Sequence, residues 1–233
     1  MAIANQPGEM NEPLPWRLVV VGGHTRSIGK TQLVCDVIAA LPGAQWIAGK
    51  ITQYGHGVCA RTGRHCDCAP DEHISAMVWE KQIDSGTDSS RFLAAGARRS
   101  FWLRTKQGYL AEGLPLLRNA LEQAQSPATA NPLNVIVESN SLLQFMNPAL
   151  YVAVLDSSKP DFKDSARQVL DRANVYVFRR GLEDSSPSSP SWNIVPSHLL
   201  REKPSFLQRE GDPLPDPLFQ LVKRLVETPL PVS

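Results

Sequence analysis

The sequence predicts an α/β fold, a three-layer sandwich with a mostly parallel central sheet, on three observations. Apolar runs of strand length recur along the chain at residues 18–21, 133–137, 151–155 and 175–178. Such nearly continuous apolar runs, broken only by Asn134 in the second, are what strands covered on both faces look like. Segments of helical periodicity separate these runs, and strand–helix–strand order builds right-handed parallel units. The third observation is a glycine-bearing loop, GGHTRSIGKTQ at 22–32, directly behind the first run.

In chain order, residues 1–15 carry several Pro and Gly and little apolar pattern, and read as a loose arm. A strand at 18–21 leads through the loop into a helix at 29–41, whose Leu33, Val34, Val37, Ile38 and Leu41 share one face. Pro42-Gly43 ends it, and AQWIAGKIT at 44–52 is the next strand. Residues 53–80 read as irregular chain rich in Gly, His and Cys. A helix around 88–97, a short strand at 100–104 and a helix at 114–125 follow, with SPATANP (126–132) as a linker loop. The run at 133–137 ends in Glu138, and the run at 151–155 ends in Asp156. Residues 158–161 (SKPD) read as a helix start, and Phe162, Ala166, Val169, Leu170 and Ala173 make one stripe leading to the strand at 175–178. SSPSSPS (185–191) is a low-complexity linker. A last helix takes Asp216 as N-cap and Pro217 in its first turn, and presents Leu218, Leu221, Val222 and Leu225 to an apolar surface. The expected organisation is an arm (1–15), one domain (16–181) with a Cys/His-rich insertion at 53–80, and a linker with a helical extension (182–233).

Composition bounds the function. At 233 residues with 42% apolar and 20% charged residues, the chain has the makeup of an ordinary globular protein. A formal charge of +1 argues against nucleic acid or an anionic membrane as the main partner. The opening residues lack a basic-then-apolar signal segment, and no apolar stretch is long enough to span a membrane. Three of the four cysteines fall within ten residues, a pattern that in a reducing compartment points to metal or redox chemistry. A cytoplasmic location is expected.

The loop is the strongest functional signal. A phosphate-binding loop has the form G-x-x-x-x-G-K-[ST]. Gly29-Lys30-Thr31 fits, but His24 stands at the first glycine position, and Gly23 is one residue too far upstream. The mechanism needs inward backbone N–H groups, a helix N-terminus facing the anion and a lysine reaching the terminal phosphates. A strand before and a helix after supply that setting, so the expected fold is that of the P-loop NTPases. His24, Thr25, Arg26, Ser27, Ile28, Gly29, Lys30, Thr31 and Gln32 are the expected nucleotide-binding residues, for ATP or GTP. Lys30 would neutralise charge, and Thr31 would ligate Mg²⁺ through its hydroxyl. His24 is either a structural filler or a side chain near the phosphates. Such a site needs an acid at the end of a central strand, and Glu138 is preferred over Asp156 because polar Ser139-Asn140-Ser141 follows it.

Several segments in order resemble the MobB family, P-loop adaptor proteins of molybdopterin-guanine dinucleotide biosynthesis. They are the loop ending in Gly29-Lys30-Thr31, IAGKIT with Lys50, the run from Asp88 to Ala97 (DSSRFLAAGA), and the strand ending Val137-Glu138. The family's glycine after that glutamate is Ser139 here. The resemblance spans roughly 16 to 180 and implies a dimerising P-loop protein that works through a partner protein. It also implies that Asp88 sits in a switch-like region near the metal. Thr31 with Glu138 or Asp88 would position Mg²⁺, and Lys30, Glu138 and Asp88 are the expected catalytic residues. Asp88 read alone is equally an N-cap for its helix. Residues 158–161 keep the Lys and Asp of the guanine-reading N/T-K-x-D, but serine replaces the first residue one strand too early, so the base is not assigned.

The resemblance does not supply GHGVCARTGRHCDCAPDEH at 55–73. Cys59, Cys66 and Cys68, with His73 the first choice of fourth ligand and His56 and His65 also within reach, offer the thiolate and imidazole set that Zn²⁺ takes. An iron–sulfur cluster is the alternative and would need a further ligand. Cys35 reads as a small core residue. The expected function is a Mg-dependent nucleotide switch or adaptor in cofactor or metal-centre maturation. A small-molecule kinase or dethiobiotin-synthetase-like ligase on the same fold is the alternative, as is an adaptor that does not hydrolyse nucleotide.

Overall fold

A computed structural model of the chain describes residues 15–54, 74–125, 132–180 and 197–229. One eight-stranded sheet runs through it in the order β3-β4-β2-β5-β1-β6-β7-β8, with strands β1 (Arg17–Gly23), β2 (Ile47–Tyr54), β3 (Ser75–Trp79), β4 (Arg99–Lys106), β5 (Asn134–Glu138), β6 (Leu150–Leu155), β7 (Val175–Phe178) and β8 (Ser205–Leu207). All pairings are parallel except that of the edge strand β3 with β4. The helices are α1 (Lys30–Ala40), α2 (Asp88–Ala94), α3 (Leu110–Ala124), α4 (Asp164–Arg167), α5 (Ser197–Glu202) and α6 (Asp216–Glu227).

Alternate residues of β1 feed two separate cores, as strand geometry requires. Leu18 and Val20 pack with Leu110, Leu114, Leu117 and Leu121 of α3. Val19 and Val21 pack on the other face with Leu33, Val34, Val37 and Ile38 of α1, Phe92 of α2, and Leu218 and Val222 of α6. Helix, sheet and helix make the three layers. The last helix thus lies over the face that carries α1, and β8 extends the sheet beyond β7. No helix among the described residues is long and apolar enough to cross a membrane.

Several local expectations are corrected. The stretch 53–80 is not irregular throughout, because Ser75–Trp79 pairs with β4. The stripe from Phe162 to Ala173 is not one helix. Residues 158–161 start none, and only Asp164–Arg167 and a 3-10 turn at Leu170–Arg172 form. Ala166, Val169, Leu170 and Ala173 are nonetheless all buried, so the apolar pattern was met by a folded-over chain. The N-cap of α6 is Pro215, with Asp216 in the first turn, and that of α2 is Thr87, whose hydroxyl accepts from Ser90 N. Gly96, at φ 103, lies just past α2, which ends at Ala94.

Candidate functional site

β1 lies between β5 and β6, and the chain leaves it through α1 toward β2, so its carboxyl end is a point where strand order reverses. Ligands in open α/β sheets bind at such points. The loop of residues 24–29 stands there. Its backbone has positive φ at Ser27 (53°) and Gly29 (81°), separated by Ile28. Alternation of this kind turns successive N–H groups to one side and makes an anion-binding concavity. Among the described residues, the amides of 25–32 find no acceptor, and Gly29 caps α1 without any side-chain cap bond.

Gly23 is required by close packing. A Cβ there would stand 2.7 Å from Ile28 Cδ1, 2.9 Å from the Val154 carbonyl and 3.0 Å from Lys30 Cδ. Asn140 pairs with both backbone groups of Gly23, accepting from its N–H and donating to its carbonyl at 2.8 Å each. His24 is buried against Phe162, with ring centroids 5.2 Å apart, and burial pushes its pKa down. The residue at the first glycine position of the motif therefore packs inward. Thr25 donates through its hydroxyl to Asp161, and the Lys163 N–H donates to the His24 carbonyl at 2.9 Å, which ties the loop to the β6–α4 connection. Arg26 and Ser27 are exposed.

Lys30 reaches back along the loop, and its Nζ donates to the Thr25 carbonyl at 2.6 Å. Burial, with Lys163 and Lys50 nearby, outweighs Glu138 and pushes its pKa down to about 8. Beside it the Thr31 hydroxyl donates to Glu138 Oε2 at 2.7 Å. Glu138 ends β5 directly opposite Lys50 of β2, and Lys50 Nζ lies 3.3 Å from Glu138 Oε1 while also donating to Asp88. Burial opposes the Lys50 charge, but the two acids prevail and hold its pKa above the ordinary lysine value. Asp156, the other strand-end acid, is turned to its own loop, where it accepts from the Ser158 N–H and hydroxyl. Thr31 and Glu138 are hard oxygen donors, the set Mg²⁺ prefers.

Next to this group, a cleft of about 250 Å³ is lined by Lys50, Gly86, Thr87, Asp88, Ser89 and Trp102. Glu80 organises its rim, with Thr87 and Ser89 hydroxyls donating to its Oε2 at 2.8 and 2.9 Å. The predicted ligands Cys59, Cys66, Cys68 and His73 lie outside the described residues. The flanks of that segment are held together, since Tyr54 Oη donates to the Ile74 carbonyl at 3.2 Å and both carbonyls accept from the β4 end.

Lys50, Asn140, Lys163 and Arg179, which the fold brings to the loop, had no role assigned from the sequence. Arg179 follows β7 and donates to the Gly29 carbonyl at 2.6 Å. Position at a strand's carboxyl end was the available signal for Arg179, whereas Lys50 lies in the middle of β2.

No protein-family model matches the chain, and no curated protein does. Among solved structures it is similar to HypB from Helicobacter pylori, in complex with nickel, at 13% identity and a TM-score of 0.50, over 94% of this chain and 92% of that one. LpxK from Aquifex aeolicus in complex with ATP shows 14% identity and a TM-score of 0.45, over 83% of this chain and 54% of that one. The signal recognition particle 54 kDa protein from Aeropyrum pernix, in complex with GDP, shows 12% identity and a TM-score of 0.45, over 96% of this chain and 49% of that one. The chain spans about half the length of the last two. The fold is the three-layer α/β sandwich of the P-loop NTPases.

Proposed function

We propose that this protein binds a Mg-nucleotide, ATP or GTP, at residues 24–32, and acts as a switch or adaptor in cofactor or metal-centre maturation. The observation that carries the reading is the meeting of Thr31 and Glu138, 107 residues apart, at the mouth of a loop with unsatisfied amides. In this reading the loop amides and Lys30 bind the β- and γ-phosphates, and Thr31 and Glu138 hold Mg²⁺. The ion supplies charge neutralisation on the phosphate oxygens. Asp88, joined to Lys50 and so to Glu138, links the occupancy of that position to helix α2. Hydrolysis rests on phosphate positioning and charge neutralisation.

The maturation role draws on the MobB resemblance, on the likeness to HypB in complex with nickel, and on the Cys and His content of residues 55–73. Zn²⁺ or an iron–sulfur cluster on Cys59, Cys66, Cys68 and His73, a homodimer, a partner protein and a cytoplasmic site of action belong to the same reading. The cleft beside Lys50 and Trp102 favours a second one, a small-molecule kinase or ligase whose acceptor lies there.

Calorimetric titration with Mg-ATP and Mg-GTP tests the core of this. Wild type is expected to bind one or both, and Lys30→Ala to bind much more weakly. A wild-type protein that binds neither ends the reading. Elemental analysis of untagged protein tests the metal separately. Zinc and iron that are substoichiometric and unchanged in Cys66→Ser would remove it.

A further inference from the structure

Arg179 occupies a position that nucleotide binding by the loop does not itself explain. Its Nη2 donates to the Gly29 carbonyl at 2.6 Å, while its Nη1 donates to Gln208 Oε1 at 3.0 Å and to the Gln208 carbonyl at 3.3 Å. Gln208 is fully buried just past β8. Its N–H donates to the Phe178 carbonyl at 2.9 Å, and its side-chain amide donates to Asp36 Oδ2 on α1 at 2.8 Å. The guanidinium is thus gripped from one side by the C-terminal segment, and it grips the loop on the other. It lies so close that a Cβ on Gly29 would stand 2.7 Å from its Nε.

The grip has a directional consequence. The Gly29 carbonyl also accepts from the Leu33 N–H at 3.0 Å, so both bonds fix its direction. Across a planar trans peptide, C=O and N–H point oppositely. Holding the Gly29 carbonyl back toward Arg179 and Leu33 therefore aims the Lys30 N–H forward, out of the N-terminus of α1 and into the loop. A cation beside a helix N-terminus is opposed by the helix dipole, so it gains nothing from the helix itself.

We propose that Arg179 is a positioning residue for the phosphate loop, which, clamped by Gln208, fixes the Gly29–Lys30 peptide plane and thereby sets triphosphate affinity. The proposal rests on the nucleotide reading above and adds the C-terminal segment to the site. A donor aimed before the ligand arrives costs no reorganisation on binding.

The test compares wild type with Arg179→Met, Arg179→Lys, Gln208→Ala and Lys203→Met, by Mg-ATP and Mg-GTP dissociation constants and by melting temperature. Lys203 is another anchor of the C-terminal segment, donating to the carbonyls of Asp171 and, at 2.7 Å, Ala173, away from the loop. Arg179→Met is expected to weaken binding about tenfold, the scale of one charge-assisted hydrogen bond. Arg179→Lys should recover part of this, and Gln208→Ala should weaken binding by a smaller factor. Lys203→Met should lower the melting temperature and leave affinity at the wild-type value. Wild-type affinity in Arg179→Met overturns the proposal, as does an equal loss in Lys203→Met, which would mean general loosening. Should Arg179→Met not fold, wild-type affinity in Gln208→Ala overturns it. Failure of the wild type to bind any nucleotide is a different result, and it removes the nucleotide reading itself.

Discussion

The Thr31 hydroxyl donates to Glu138 Oε2 at 2.7 Å, and this bond joins the helix behind the loop of residues 24–29 to strand β5. If both oxygens serve one Mg²⁺, their losses must overlap. Thr31→Ala and Glu138→Gln should each reduce the Mg²⁺ dependence of nucleotide affinity. The double variant should be little worse than either single one, a coupling of about 1 kcal/mol or more between contacting partners. Losses that simply add would mean that the two residues do not act on the same ion.

Gly49 faces the ring of Phe101 so closely that a Cβ would meet its Cζ at 2.0 Å. Both residues are in the adjacent strands β2 and β4, in register with each other. Gly49→Ala is therefore expected to destabilise by about 1–3 kcal/mol through overpacking. Phe101→Leu added to it should restore part of the loss, read as the urea midpoint. An unchanged midpoint in Gly49→Ala would mean that the ring has room to turn.

The fold was legible where the signal is local in the chain. Continuous apolar runs gave β1, β5, β6 and β7, and Gly29-Lys30-Thr31 behind the first of them gave the loop. Glu138 was legible because a strand-end acid is a chain-local feature. Its partner Lys50 was not, since their meeting depends on β2 lying beside β5, a matter of strand order. Strand β3 escaped notice because it is an edge strand with only half-buried or exposed residues, and β8 because it is three residues long. The stripe from Ala166 to Ala173 told correctly what is buried, but not which backbone buries it. Burial constrains a side chain, and a short helix followed by a 3-10 turn satisfied it as well as one helix. Arg179 and Gln208 are brought side by side by the β7–β8 pairing, which nothing in their own neighbourhoods announces.

If nucleotide binds at the loop as proposed, Lys30 gives the site a pH dependence. Its pKa in the unliganded protein is pushed down to about 8, by burial first and then by the neighbouring lysines. A bound triphosphate favours the ammonium form and raises that pKa, so binding above pH 8 takes up a proton. Nucleotide affinity should then fall as pH rises through 8, approaching tenfold per pH unit above it. Calorimetry near pH 8.5 in buffers of different ionisation enthalpy should show the uptake, and Lys30→Met should abolish it. Equal apparent enthalpies in all buffers for wild type would exclude this coupling.

Lys50 holds a different kind of charge. Its side chain and that of Glu138 are 21% and 6% exposed, and removing the ammonium leaves a nearly buried carboxylate without its counter-charge. Lys50→Met should cost about 2 kcal/mol of stability, mostly for stranding Glu138. Glu138→Gln in that background should recover part of it. The folded pKa of Lys50 is raised, so its contribution is fully present below the ordinary lysine value and is lost only as pH rises through the higher folded one. The cost of Lys50→Met should therefore be flat between about pH 6 and 9 in urea denaturation. Asp88 is 32% exposed, and solvent screens its half of the interaction. Asp88→Asn should accordingly cost about 1 kcal/mol or less. If Asp88→Asn proves as costly as Lys50→Met, the lysine is held in place by Asp88, and Glu138 is not the charge it serves.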